Sequence, residues 1–144
     1  MEKLPDIFID NVSSKDNYIR ILGRIKNQRV WKWIKREYII ENEYLDSYNL
    51  FVPEANNTGK FGETLTAPSY GIPGDATADT YLSAGVFKTK IETENLNKYM
   101  KTKFFRALLG VKKVTQHCPP MVWEIIPCQD FTEDSDIDWS KSVH

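Results

Sequence analysis

From residue 18 to residue 26 the chain alternates with a period of two. Ile19, Ile21, Gly23 and Ile25 point one way, and Tyr18, Arg20, Leu22, Arg24 and Lys26 the other. That is the pattern of a β-strand. Asn27-Gln28 reads as a turn, because Asn tolerates positive φ, and residues 30–34 form the return strand of a hairpin. There Arg29, Trp31, Trp33 and Lys35 share one face, opposite Val30, Lys32, Ile34 and Arg36. Charge on both faces marks a strand at or beyond a sheet edge. Residues 37–40 extend or end the hairpin. The apolar run NLFVP (49–53) reads as a buried strand, and YLSAGVF (81–87) as another. Residues 54–80, rich in Gly, Pro, Asn and Thr, read as one long loop. Loops of that length in a compact domain are commonly functional or mobile.

The strongest periodicity is helical. Leu96, Met100, Phe104, Leu108 and Val111 form one stripe at helical spacing. It predicts a single helix over 94–109, with Thr93 as N-cap and Gly110 at its end. Pro119-Pro120 interrupts the chain, VWEII (122–126) reads as a last strand, and residues 129–144 as an acidic, weakly structured tail. The expected fold class is α+β: a mixed or antiparallel sheet with a basic N-terminal β-hairpin and one long helix packed on the sheet.

A length of 144 residues suits a single domain over 1–144. With 41% hydrophobic and 12% aromatic residues the balance is that of a folded core. No apolar run approaches the roughly 20 residues of a membrane helix. The opening MEKLPDIFID lacks the basic-then-apolar layout of a secretion signal. Cys118 and Cys128 are too few for a disulfide scaffold, so a cytoplasmic location and no membrane partner are expected. The net charge of −1 hides a polarity. Residues 17–36 carry Arg20, Arg24, Lys26, Arg29, Lys32, Lys35 and Arg36 with no acid, whereas 124–138 carry acids with no base. A polyanion at the basic end fits this, as do two solvated faces that neutralise each other.

Reaction chemistry is poorly served. His117-Cys118 and Cys128 fall short of a four-ligand zinc set, and a nucleophilic triad lacks a free histidine. GKFGET (59–64) lacks the Gly-Lys-Ser/Thr ending of a phosphate loop. Cys118-Pro119-Pro120-Met121 lacks the Asn amide and the aromatic ring of the amino-methylating Asn-Pro-Pro-aromatic motif. No catalytic residue, metal site or cofactor is therefore expected, and the chain by itself is not expected to be an enzyme. Binding is better served. Arg20, Arg24, Lys26, Arg29, Lys32, Lys35 and Arg36, extended by Lys60, Lys112 and Lys113, suit DNA phosphates. Asn56, Asn57, Thr115 and Gln116 suit base edges. The indoles of Trp31 and Trp33 either stack on bases or cover a small core.

Four stretches carry a resemblance: VPEANNTGKFGETL (52–65), YLSAGVFKTKIETENLNKYMKTKFFRALLGVKKVTQ (81–116), PPMVWEIIPCQDF (119–131) and SDIDWSKSV (135–143). They resemble the C-terminal target-recognition region of restriction–modification adenine-N6 DNA methyltransferases, including the fused type IIG endonuclease–methylases. The likeness spans residues 21–143. It implies an excised C-terminal target-recognition domain whose partners are double-stranded DNA and the methyltransferase core of the parent polypeptide. S-adenosylmethionine and magnesium are implied only for that core, which this chain lacks. The alternatives are a small magnesium-dependent nuclease, with Glu124 or Asp130 as its acid, and a subunit-docking module of a restriction–modification complex.

Overall fold

The alternating run becomes β1 (Tyr18–Ile25), which pairs antiparallel with β2 (Gln28–Lys35) from Tyr18↔Lys35 to Ile25↔Gln28. The structure is a computed structural model that describes residue 1 and residues 4–141. Residues 142–144 of the predicted tail lie outside the described residues. The turn falls one residue earlier than predicted, on Lys26 (φ 48°) and Asn27 (φ 63°). Two successive left-handed residues match the twist of the strands, and Gln28 is left to pair. A 3-10 turn, Arg36–Tyr38, ends β2.

The fold is α+β, and its strands form two sheets. In the first, β5 (Asp75–Thr77) lies parallel to β1, giving the order β2-β1-β5. Ile9 covers the outer edge of β2 by exchanging two backbone hydrogen bonds with Trp33, 2.9 and 2.8 Å. In the second, β3 (Tyr48–Pro53) lies between β4 (Ser69–Gly71) and β6 (Tyr81–Phe87), all antiparallel. The segment predicted as one loop thus contains β4 and β5. Each has three residues, too few for alternation to declare itself. Leu22, Phe51 and Tyr81, with Trp31 beside them, form the apolar contact between the sheets.

The single predicted helix is two: α1 (Lys90–Lys101) and α2 (Lys103–Lys112). Thr102 between them is extended, at φ −63° and ψ 150°. Its hydroxyl donates to the Tyr99 carbonyl at 2.8 Å and accepts from the Phe105 N–H at 3.0 Å. One side chain ends α1 and caps α2. The first cap is Thr89, not Thr93: Thr89 and Glu92 make a complete capping box, while Thr93 is buried inside α1. Gly110 lies within α2 instead of ending it. The break also resets the helical phase. Phe105 and Leu109 face the core, and Phe104 and Val111 of the predicted stripe are exposed.

The predicted last strand is also corrected. Pro120 opens a short helix, α3 (Pro120–Trp123), in the first-turn position where a missing N–H costs nothing. Trp123 anchors it through Nε1 to the Cys118 carbonyl at 3.1 Å. The tail is ordered by its aromatic residues. Phe131 and Trp139 are buried against Tyr99, Met100 and Phe105 of the helices and Leu50 and Val52 of β3. Asn95 donates to the Phe131 carbonyl at 2.9 Å. Each apolar side chain buried there contributes roughly 1.5–3 kcal/mol, so the acids Glu133, Asp134, Asp136 and Asp138 are simply the solvated side of a packed segment.

Candidate nucleic-acid interface

The GKFGE loop folds back onto the segment that follows α2. Ala55 bridges His117, the Asn56 N–H donates to the Gln116 carbonyl at 2.7 Å, and the Cys118 N–H donates to the Glu54 carbonyl at 2.9 Å. Beneath this ladder the Lys113 ammonium donates to the Asn56 carbonyl at 2.8 Å and to the Glu63 carboxylate. Glu63 also accepts from the Gly59 N–H at 2.9 Å, the Thr58 N–H at 3.1 Å and the Thr58 hydroxyl at 2.9 Å. Burial pushes the Glu63 carboxyl up, but Lys113 and the loop donors outweigh it and hold the group at about 2. A buried ion pair is tolerable when its remaining lone pairs are satisfied, as they are here.

Glycine is required twice in this contact. Gly59 has φ 87°, and a Cβ on it would lie 2.6 Å from the Thr115 carbonyl carbon. A Cβ on Gly110 of α2 would lie 2.8 Å from Cδ2 of Phe61 and 3.0 Å from the Gly62 nitrogen. Arg106 of α2 completes the brace, donating to the Gly62 carbonyl at 3.0 Å and to the Thr64 hydroxyl at 3.2 Å.

Two predicted contact residues are corrected by this geometry. Asn56 is fully buried; its amide donates to the Pro53 carbonyl at 3.2 Å and accepts from the Thr66 N–H at 2.6 Å. Lys113 is buried as well. Their polar groups are turned inward and occupied, so neither reaches a base or a phosphate; they hold the loop in place. Asn57, Lys60, Thr115 and Gln116 stay exposed around it. Asn57 (φ 52°) donates to the Thr64 carbonyl and accepts from the Thr66 hydroxyl at 2.9 Å, while the Thr115 hydroxyl accepts from the His117 N–H at 3.2 Å.

The cations of β1 and β2 divide by position. Arg29, next to the turn, donates to the Ala67 carbonyl at 2.7 Å and the Ser69 hydroxyl at 3.3 Å. Asn57 bonds Thr66 and Arg29 bonds Ala67, so the two successive residues Thr66 and Ala67 link the residue before Thr58 to the start of β2. Arg24 donates to the Asn27 carbonyl at 3.1 Å, and Lys26 is exposed in the turn itself. Arg20, Lys32, Lys35 and Arg36 have carboxylate partners. Arg20 makes a two-pronged contact with Asp75 at 2.8 and 2.6 Å, its guanidinium 4.8 Å from the Trp31 ring centre. Lys32 pairs with Asp10, Lys35 with Glu37 at 3.4 Å, and Arg36 with Glu41 at 2.8 Å and Asp46 at 3.5 Å. Lys35 and Arg36 stand at the far end of the strands from the turn, roughly 20 Å away at the rise of a β-strand. Lys112 lies 3.5 Å from Glu124 and 3.3 Å from the Met121 carbonyl.

Sequence reasoning missed Phe61 and Arg106. An aromatic flanked by turn residues in GKFGE is a usable signal for the first; nothing local marks the second. Trp31 packs on Phe51, ring centres 5.9 Å apart, so this indole covers core. Cys118 is buried and its thiol is pushed up to about 11 by that burial. Among the described residues no group of three His, Cys, Asp or Glu is gathered as a metal-holding set. A cleft of about 620 Å³ opens between α1 and the tail, lined by residues such as Asn95, Lys98, Asp136 and Trp139, and none of the predicted site residues lines it. No protein-family model matches the chain, and no curated protein or solved structure matches it either.

Proposed function

We propose that this chain is a sequence-specific DNA target-recognition module of a restriction–modification enzyme, positioning the duplex for an adenine-N6 methyltransferase core carried elsewhere. The observation that supports the reading is the linkage at Thr66-Ala67, where Asn57, beside the GKFGE loop, bonds Thr66, and Arg29, beside the β1–β2 turn, bonds Ala67. On this reading the exposed Lys26 and Arg29, with Arg24, seat phosphates near the turn, and the exposed Lys60, Thr115 and Gln116 act around the loop. The same loop and the segment after α2 are two of the stretches that resemble the methyltransferase family. Cations seat phosphates without regard to sequence, and amide and hydroxyl groups beside them supply the discrimination.

Titration of fluorescent duplexes across salt tests it. About four engaged phosphates, one for each of Arg24, Lys26, Arg29 and Lys60, give a slope of log K against log salt of roughly −3.6. Arg29→Glu weakens binding to all sequences alike, whereas Gln116→Ala changes the preference among sequences. Salt-independent binding, or none, refutes the reading.

A second reading, docking to the methylase core, is favoured by the outer side of α2 and by α3. Phe104 is 55% exposed, Val111 65% and Met121 63%, and clustered exposed apolar side chains mark contact surfaces. Co-elution with the core in size-exclusion chromatography without DNA, lost in Phe104→Glu/Val111→Glu, tests it.

A further inference from the structure

Phe61 stands out in the GKFGE loop. It is 70% exposed, although the loop beneath it is braced from several sides: four hydrogen bonds converge on Glu63, Arg106 holds the Gly62 carbonyl, and the ring edge lies against Gly110. A lone exposed aromatic is ordinary on a flexible surface. Fixed on a braced loop, it is presented.

We propose that Phe61 is a base-stacking wedge, whose ring inserts at a base step of bound DNA beside a phosphate seated by Lys60. This rests on the DNA-binding reading above. The surroundings favour a nucleobase over a protein surface. Next to Phe61 in the loop stands Lys60, which is exposed and offers a cation. The carboxylate of the loop, Glu63, is turned inward and satisfied, so no free acid of the loop repels phosphate. The apolar surface suited to protein docking points elsewhere, since Val111 is rotated by about 100° from Gly110, against which Phe61 lies. Apolar side chains used as wedges unstack a step and kink the duplex, and a stiff mount is what lets a ring displace a base instead of being displaced.

The test uses a duplex that the wild-type chain selects from a random-sequence pool, synthesised with 2-aminopurine at each position in turn. The wild type is expected to raise the fluorescence severalfold at one position, where the base is unstacked. Phe61→Ala abolishes that rise and weakens binding roughly ten-fold, the loss typical of a base–aromatic stack, with the salt slope unchanged. Phe61→Trp keeps both. Lys60→Ala does the reverse: the slope falls by about 1 and the fluorescence rise remains. Because Phe61 is exposed, Phe61→Ala unfolds at the wild-type temperature, so lost binding is not lost folding. A rise that survives Phe61→Ala, or tight wild-type binding with no rise at any position, overturns the wedge and leaves the DNA-binding reading intact. If the wild type selects no duplex, the DNA-binding reading fails and the wedge with it.

Discussion

The ammonium of Lys113 and the carboxylate of Glu63, fifty positions apart in sequence, meet under the GKFGE loop, the lysine side chain 2% exposed and the glutamate 14%. This pair ties the loop to the end of α2 and sets where Phe61, Lys60 and Thr115 stand. Removing one partner strands the other in a buried site. Glu63→Leu and Lys113→Met are each expected to cost about 3–5 kcal/mol, and the double change Glu63→Leu/Lys113→Met much less than their sum. Urea denaturation of the four proteins measures it; strictly additive costs would show that the two charges are not coupled.

Acid acts through the same pair. The Glu63 carboxyl stands at about 2 in the folded chain, against an ordinary 4.5. A carboxyl depressed on folding stabilises the protein above its unfolded value and loses that contribution as pH falls through the folded value. Stability is therefore expected to hold above about pH 5 and to drop between roughly pH 4.5 and 2, by on the order of 2 kcal/mol from this group. Asp138, held at about 2 mainly by the Ser140 hydroxyl, and Asp130, lowered by the Thr132 hydroxyl, act in the same direction. Urea midpoints against pH check this, and Glu63→Gln flattens the acid limb.

Thr102 serves two helices with one hydroxyl. Thr102→Ala is expected to cost about 1 kcal/mol, and Thr102→Ser to restore most of it. A threonine-to-alanine change without cost in thermal or urea unfolding would mean that packing alone holds the break.

The two thiols are unequal. Cys128 is exposed and Cys118 is buried, with a thiol near 11. The thiolate is the reactive form, so a disulfide reagent at pH 8 is expected to titrate Cys128 promptly and Cys118 only on unfolding. Two equally fast thiols would place Cys118 at the surface.

Among the candidate site residues, exposure was the part that composition did not carry. Asn56 and Asn57 are adjacent and chemically identical, yet Asn56 is buried as a brace and Asn57 is exposed. Lys112 and Lys113 divide in the same way. Neighbours on one segment point to different sides, and which side is inside depends on what the rest of the chain lays against it. The capping box Thr89-Lys90-Ile91-Glu92 is written locally in the sequence, seven residues ahead of the apolar stripe that begins at Leu96.

Local pattern by itself determined β1, β2, β3 and β6, the helical character of residues 94–109, and the α+β class, because alternation and helical spacing record which side of an element is apolar. Tertiary structure alone decided the division into two sheets, the short strands β4 and β5, the packing of the acidic tail, the engagement of Arg29, and the inward turn of Lys113. Those outcomes depend on groups distant in the chain: Glu63 for Lys113, the Ala67 carbonyl for Arg29, Tyr99 for Phe131 and Trp139. A period records a face; only the packed chain supplies what meets it.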